Sequence, residues 1–200
     1  MKNNQNFKNE GQSRRSFVQK TALVTGGLMS APMGVSGMAN VFNEKKLKLA
    51  LVGCGGRGSG AAVQALTADE NVELVAMADA FGDRLEKSLK SIQTHFEGEK
   101  KINIKEKHRF VGFDAYRKAI DMADVVILTT PPGFRPYHFE YAINNDKHVF
   151  MEKPVATDPV GVRKVLEMAR VAKAKKLNVV VGLQRHYQKR YLDLIAKVRE

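Results

Sequence analysis

Apolar positions along the chain follow two spacings in turn. Leu47-Lys48-Leu49-Ala50-Leu51-Val52 alternates, then runs apolar into glycine, the pattern of a buried parallel strand. Val72 to Asp79 is a second strand, ending in an acid. Between them, Gly58 to Leu66 is rich in alanine and other small residues, which predicts a helix able to pack closely on a sheet. Gly82 to Phe96 puts Leu85, Leu89 and Ile92 on one helical face. Glu97 to Lys107 is charged and aperiodic and reads as a loop. The rhythm then resumes with strands over Arg109–Val111, Asp124–Thr129, Val149–Met151 and Asn178–Gly182. The intervening helices are Ala115–Met122, Tyr137–Asn144 and Pro159–Lys175, and a last helix starts at Tyr187 and runs to Glu200. Strands alternating with helices in this way predict an α/β fold, a doubly wound parallel sheet with helices on both faces.

Residues 1–39 stand outside that rhythm. Ser13-Arg14-Arg15-Ser16-Phe17-Val18-Gln19-Lys20 precedes a mildly apolar stretch, Thr21 to Met29. Paired arginines followed by such a stretch have the layout of a twin-arginine export signal. Gly37-Met38-Ala39 offers small residues at a cleavage site. Gly26, Gly27, Pro32 and Gly34 interrupt the apolar stretch, which argues against a stable membrane span. The expected location is therefore periplasmic or otherwise extracytoplasmic. The expected domains are a signal over 1–39, a nucleotide-binding domain over 40–185, and the start of a crossover over 186–200.

The formal net charge of +12 raises the question of nucleic acid. Its distribution answers against it. Residues 1–39 carry Lys2, Lys8, Arg14, Arg15 and Lys20 against Glu10, a net of +4. The rest is scattered in short runs, as on solvated helix faces and loops. No zinc-finger spacing, RNA-binding aromatic signature or basic zipper accompanies it, and no metal ligand set is expected. The single cysteine, Cys54, excludes an internal disulfide and sits where a turn wants a small side chain.

The chemistry is concentrated at strand ends. Gly53, Gly55 and Gly58 fit G-x-G-x-x-G directly after a strand, with Cys54, Gly56 and Arg57 between them. The first glycine allows a tight turn, the second lets backbone approach a pyrophosphate, and the third lets helix and strand pack. The following helix N-terminus faces the phosphates with its partial positive charge. Asp79, 26 residues after Gly53, can accept hydrogen bonds from adenosine ribose hydroxyls and would repel a 2′-phosphate. That favours NAD, although Arg84 nearby could stack on adenine or neutralise a 2′-phosphate, leaving NADP possible. Thr130-Pro131-Pro132 terminates the fourth strand, and Glu152-Lys153-Pro154 follows the fifth.

This ordered set, from about Leu47 to Arg185, resembles the Gfo/Idh/MocA family of NAD(P)-dependent oxidoreductases, which act mostly on sugars and polyols. The resemblance implies a Rossmann-type domain and a lysine, Lys153, at the active site beside nicotinamide and substrate. There it would hydrogen-bond the reacting hydroxyl and support proton removal as hydride leaves; burial would favour the neutral amine this needs. Glu152 would orient the cofactor end and the lysine. Thr130 and Pro131 would pass along the cofactor. The family usually continues T-P-x-x-x-H, whereas the histidine here comes later, as His138, with Arg135 before it. His138 is either a cofactor contact or an ordinary histidine at the next helix. Arg185 and Tyr187, after the sixth strand, are candidates for the substrate pocket.

Members of that family also carry an α+β second domain supplying a catalytic histidine, an aspartate and the oligomer interface. No such domain follows here, so the expectation is a cofactor-binding half, inactive alone, whose full-length form is the homo-oligomer. Two other activities fit the same residues. One is an NAD-dependent glycosidase that oxidises a sugar transiently; the other is a non-catalytic NAD-binding module.

Overall fold

The structure is a computed structural model that describes residues 46–200. The export signal expected over 1–39 and the first residues of the expected nucleotide-binding domain, 40–45, lie outside the described residues.

Six parallel strands form one sheet. They are β1 (Leu47–Val52), β2 (Val72–Asp79), β3 (Arg109–Val111), β4 (Val125–Leu128), β5 (His148–Met151) and β6 (Val179–Val181), in the order β3-β2-β1-β4-β5-β6. Helices α1 (Gly56–Ala68), α2 (Gly82–His95), α3 (Ala115–Asp121), α4 (Arg135–Asn144) and α5 (Pro159–Ala174) connect them, and α6 (Gln184–Tyr187) and α7 (Lys189–Arg199) follow β6. This is the Rossmann order, with the direction of winding reversing between β1 and β4.

The apolar runs explain the layering. Along β1, Leu49 and Leu51 enter one core with Leu66, Leu85 and Ile92, which belong to α1 and α2. Ala50 and Val52 enter the other, with Ile120, Phe139 and Met168 from α3, α4 and α5. Both faces are covered, so β1 runs apolar from Leu49 to Val52. A bulge in β2 skips Val75 opposite β1, so Leu74 and Met77 reach the first core while Val75 and Ala76 reach the second. Leu51 is fully buried. Truncating it to alanine would cost about 2–5 kcal/mol.

Polar groups fix the strand and helix starts. Asp124, expected to open β4, instead accepts the Lys48 N–H at 2.9 Å through its side chain. Asp158 caps α5 by accepting the Gly161 N–H at 2.8 Å. Most other boundaries fall within a residue or so of expectation, and the larger differences lie in the helices. α1 begins at Gly56, inside the glycine turn, and α4 begins at Arg135 rather than Tyr137. The expected final helix is divided by Gln188, whose backbone is extended (φ −77°, ψ 120°). Within the charged loop, Glu106–His108 forms a short 3-10 turn, and Ile102 bridges to Leu74.

Candidate functional site

A cleft of about 1150 Å³ lies along the C-terminal ends of the strands, beside the point where the strand order reverses. In open α/β sheets this is where ligands bind. Its floor is the glycine turn. Gly53 has φ +96°, and a Cβ there would stand 2.6 Å from the backbone nitrogen of Thr130. A Cβ on Gly58 would collide with the carbonyl oxygen of Gly53 and stand 2.6 Å from Thr129 Oγ1. Gly53 and Gly58 are thus required by packing. Gly55 and Gly56 differ, because a Cβ on either would meet nothing within 4 Å. At Gly55, which lines the cleft, that empty space leaves the backbone open to a ligand.

The electrostatics match an anion. The N-terminus of α1 has no side-chain cap and no acidic residue in its first turn, so its partial positive charge is left to face the cleft. Asp79 lines the cleft at the end of β2. Its carboxylate accepts the backbone N–H groups of Cys54 at 2.6 Å and Phe81 at 2.9 Å. Two carboxylate oxygens have lone pairs to spare, so hydroxyls can still bind there. Arg84 lies over the Phe81 ring at 5.7 Å, and both line the cleft beside Asp79. These residues fit the pyrophosphate and adenosine of a dinucleotide. Cys54 is buried, and burial pushes its thiol well up, with Asp79 adding to the effect, so it is an inert part of the turn.

The other end of the cleft is built from β4, β5 and β6. Glu152, only 6% exposed, accepts Arg57 Nε at 2.7 Å and pairs with Arg57 Nη2 at 2.5 Å. A Cβ on Gly182 would stand 2.7 Å from Glu152 Oε1. Lys153 lines the cleft and is exposed, so the burial invoked for it in the sequence is not present among the described residues. Its side chain forms no hydrogen bond or ion pair within the described residues.

His138 is buried in α4. Its Nδ1 lies 3.1 Å from Thr130 Oγ1, and its ring stacks on Tyr116 at 4.1 Å. Burial, reinforced by Arg135 and Arg117, pushes its pKa down to about 4, so it is neutral at pH 7. Arg135 does not face the cleft as a free cation. It is 3% exposed and donates to the carbonyl oxygens of Thr130 and Pro154, tying the end of β4 to the turn after Lys153. Burial lowers its pKa, and the charge of Glu152 opposes that.

The cleft thus gathers Gly53, Gly55, Arg57, Asp79, Arg84, Thr130, Pro131, His138, Glu152, Lys153 and Arg185. Gly56 and Gly58 support it from within α1, and Pro131 follows the end of β4. Tyr187 is 67% exposed and lies outside the cleft lining. Arg185 lies over the Tyr191 ring at 5.6 Å. Thr129, whose Oγ1 donates to the Gly53 carbonyl at 2.6 Å, and Tyr116 also belong to the site. Neither announced itself in the sequence, because both act through contacts far along the chain. Among the described residues, no group of three or more His, Cys, Asp or Glu could hold a metal ion. No helix there is long and apolar enough to cross a membrane.

Residues 47–183 match the model of an oxidoreductase family with an NAD-binding Rossmann fold. The chain belongs to the Gfo/Idh/MocA oxidoreductase family. Solved structures share the fold. Apo scyllo-inositol dehydrogenase from Lactobacillus casei superposes with a TM-score of 0.59 at 22% identity, covering 76% of this chain and 42% of that one. Myo-inositol 2-dehydrogenase from Lactobacillus plantarum gives 0.59 at 25% identity, over 76% and 41%. The WlbA dehydrogenase from Chromobacterium violaceum, solved with NADH and UDP-GlcNAcA, gives 0.58 at 27%, over 76% and 39%. The chain covers about two fifths of the length of these structures. A search of curated proteins returned no match. Family membership and the cradle geometry together make residues 47–183 an NAD-binding Rossmann domain.

Proposed function

We propose that this domain serves an oxidoreductase that moves hydride between NAD(P) and a hydroxyl of a sugar or polyol. One observation carries the reading: Lys153, without a side-chain partner among the described residues, shares a cleft with the glycine turn and Asp79. The turn and the α1 N-terminus bind the pyrophosphate, and Asp79 accepts the adenosine ribose hydroxyls, which favours NAD over NADP. Bound NAD supplies the hydride acceptor. Lys153 then holds the substrate hydroxyl by a hydrogen bond and accepts its proton. Arg185 also lines the cleft and is our candidate substrate contact. Inositol dehydrogenases among the similar structures support a polyol or sugar as substrate.

The test is steady-state turnover of the full-length protein on a panel of inositols, hexoses and aryl glycosides. Net NADH formation supports the dehydrogenase. Aglycone release without net NADH would instead mark an NAD-dependent glycosidase. Lys153→Ala should lower turnover by roughly two to four orders of magnitude with little change in NAD affinity. Turnover within a few-fold of the parent would remove Lys153 from the chemistry.

Export is proposed on sequence grounds. Arg14 and Arg15 have the twin-arginine layout. Changing both to lysine should leave the precursor in the cytoplasm, and unchanged delivery across the membrane would overturn the proposal.

A further inference from the structure

Arg57 sits in the glycine turn, where a cation would ordinarily be assigned to the pyrophosphate. Its guanidinium is committed elsewhere. Both Nε and Nη2 engage one oxygen of Glu152, 95 residues away, at 2.7 and 2.5 Å. The pair is asymmetric, with the Arg57 side chain 52% exposed and that of Glu152 8% exposed. A buried carboxylate needs such a partner, because an unpaired charge there is strongly unfavourable. Gly182 limits Glu152 from the β6 side, since any side chain there would press on the carboxylate. Glu152 is therefore held between α1 and the residue after β6, while its own backbone leads directly into Lys153.

We infer that Arg57 is a positioning residue for the nicotinamide end of the cleft: by holding Glu152 it fixes the Glu152-Lys153 segment, and it does not serve chiefly as a pyrophosphate ligand. The inference rests on the reading that Lys153 marks the nicotinamide end. It makes two distant changes equivalent. Arg57→Met removes the partner of Glu152. Gly182→Ala pushes the Glu152 carboxylate from the opposite side, displacing the tip of a flexible side chain and not backbone. Both changes should loosen the same segment.

The experiment compares NAD with ADP-ribose, which keeps the adenosine, pyrophosphate and second ribose but lacks nicotinamide. Calorimetric titration of each ligand into this chain gives two dissociation constants per variant. Arg57→Met and Gly182→Ala should each weaken NAD about tenfold, comparable to losing one charged hydrogen bond, and leave ADP-ribose within about twofold. Retained ADP-ribose binding also certifies that the variant is folded; if Arg57→Met does not fold, Gly182→Ala decides. Equal weakening of both ligands by Arg57→Met would make Arg57 a pyrophosphate ligand and overturn the inference. No change in either ligand would overturn it too. If the parent binds NAD no more tightly than ADP-ribose, the fault lies earlier, in assigning nicotinamide to the Lys153 end, and the inference falls with that assignment.

Discussion

The carboxylate of Asp79 accepts the backbone N–H of Cys54 at 2.6 Å, so the acid that ends β2 also shapes the glycine turn that follows β1. Its second oxygen accepts the Phe81 N–H at 2.9 Å. The residue proposed to accept the adenosine ribose is therefore structural as well. Asparagine has one acceptor oxygen in place of two, so Asp79→Asn must lose at least one of these bonds. It should reduce stability by about 1–3 kcal/mol and weaken NAD by at least about tenfold. Urea unfolding and calorimetry check both effects. Unchanged stability would show that the turn does not depend on this carboxylate.

His138 gives the domain a pH dependence. Its pKa is pushed down to about 4 by burial and by Arg135 and Arg117, against about 6.5 in an unfolded chain. Between those values the unfolded state binds more protons, so stability falls as the pH falls. The contribution is complete above about pH 6.5 and is lost by about pH 4, a span of up to about 3 kcal/mol. His138→Gln keeps a polar group near Thr130 and removes the titration. The parent should lose more stability than this variant between pH 7.5 and 4.5. Parallel losses in the two proteins would contradict the burial of His138.

The fold was largely legible because both faces of the sheet are covered. The central strands are then mostly apolar runs, as in Leu49–Val52 and Leu74–Ala78. The elements that shifted did so for local reasons. The start of α1 moved into the turn because Gly55 itself serves as the N-cap, with extended backbone (φ −76°, ψ 179°). α4 began earlier because Arg135 and Pro136 form its first turn. The site was half legible. Gly53, Asp79 and Lys153, at or just after strand ends, come together in one cleft as their positions in the sequence suggested. Arg135 gave no such signal: it is buried and donates to two carbonyl oxygens, of Thr130 and Pro154. The Arg57–Glu152 pair joins residues 95 apart, and no spacing rule reports it.

The glycines separate packing from binding. At Gly58, alanine would collide with the Gly53 carbonyl, so Gly58→Ala should lower stability by about 1–3 kcal/mol through overpacking. Unfolding measurements check this, and an unchanged midpoint would contradict the close approach of α1 to the turn.

Gly55 tests the central claim, that the cleft is a dinucleotide site. A side chain there meets no protein atom within 4 Å, and the backbone conformation (φ −76°) suits any residue. The decisive measurement is calorimetric titration of NAD into the parent and into Gly55→Val, with urea unfolding of both. The account predicts saturable binding by the parent, none by the variant, and similar unfolding midpoints. Equal NAD affinity in the two proteins would contradict it.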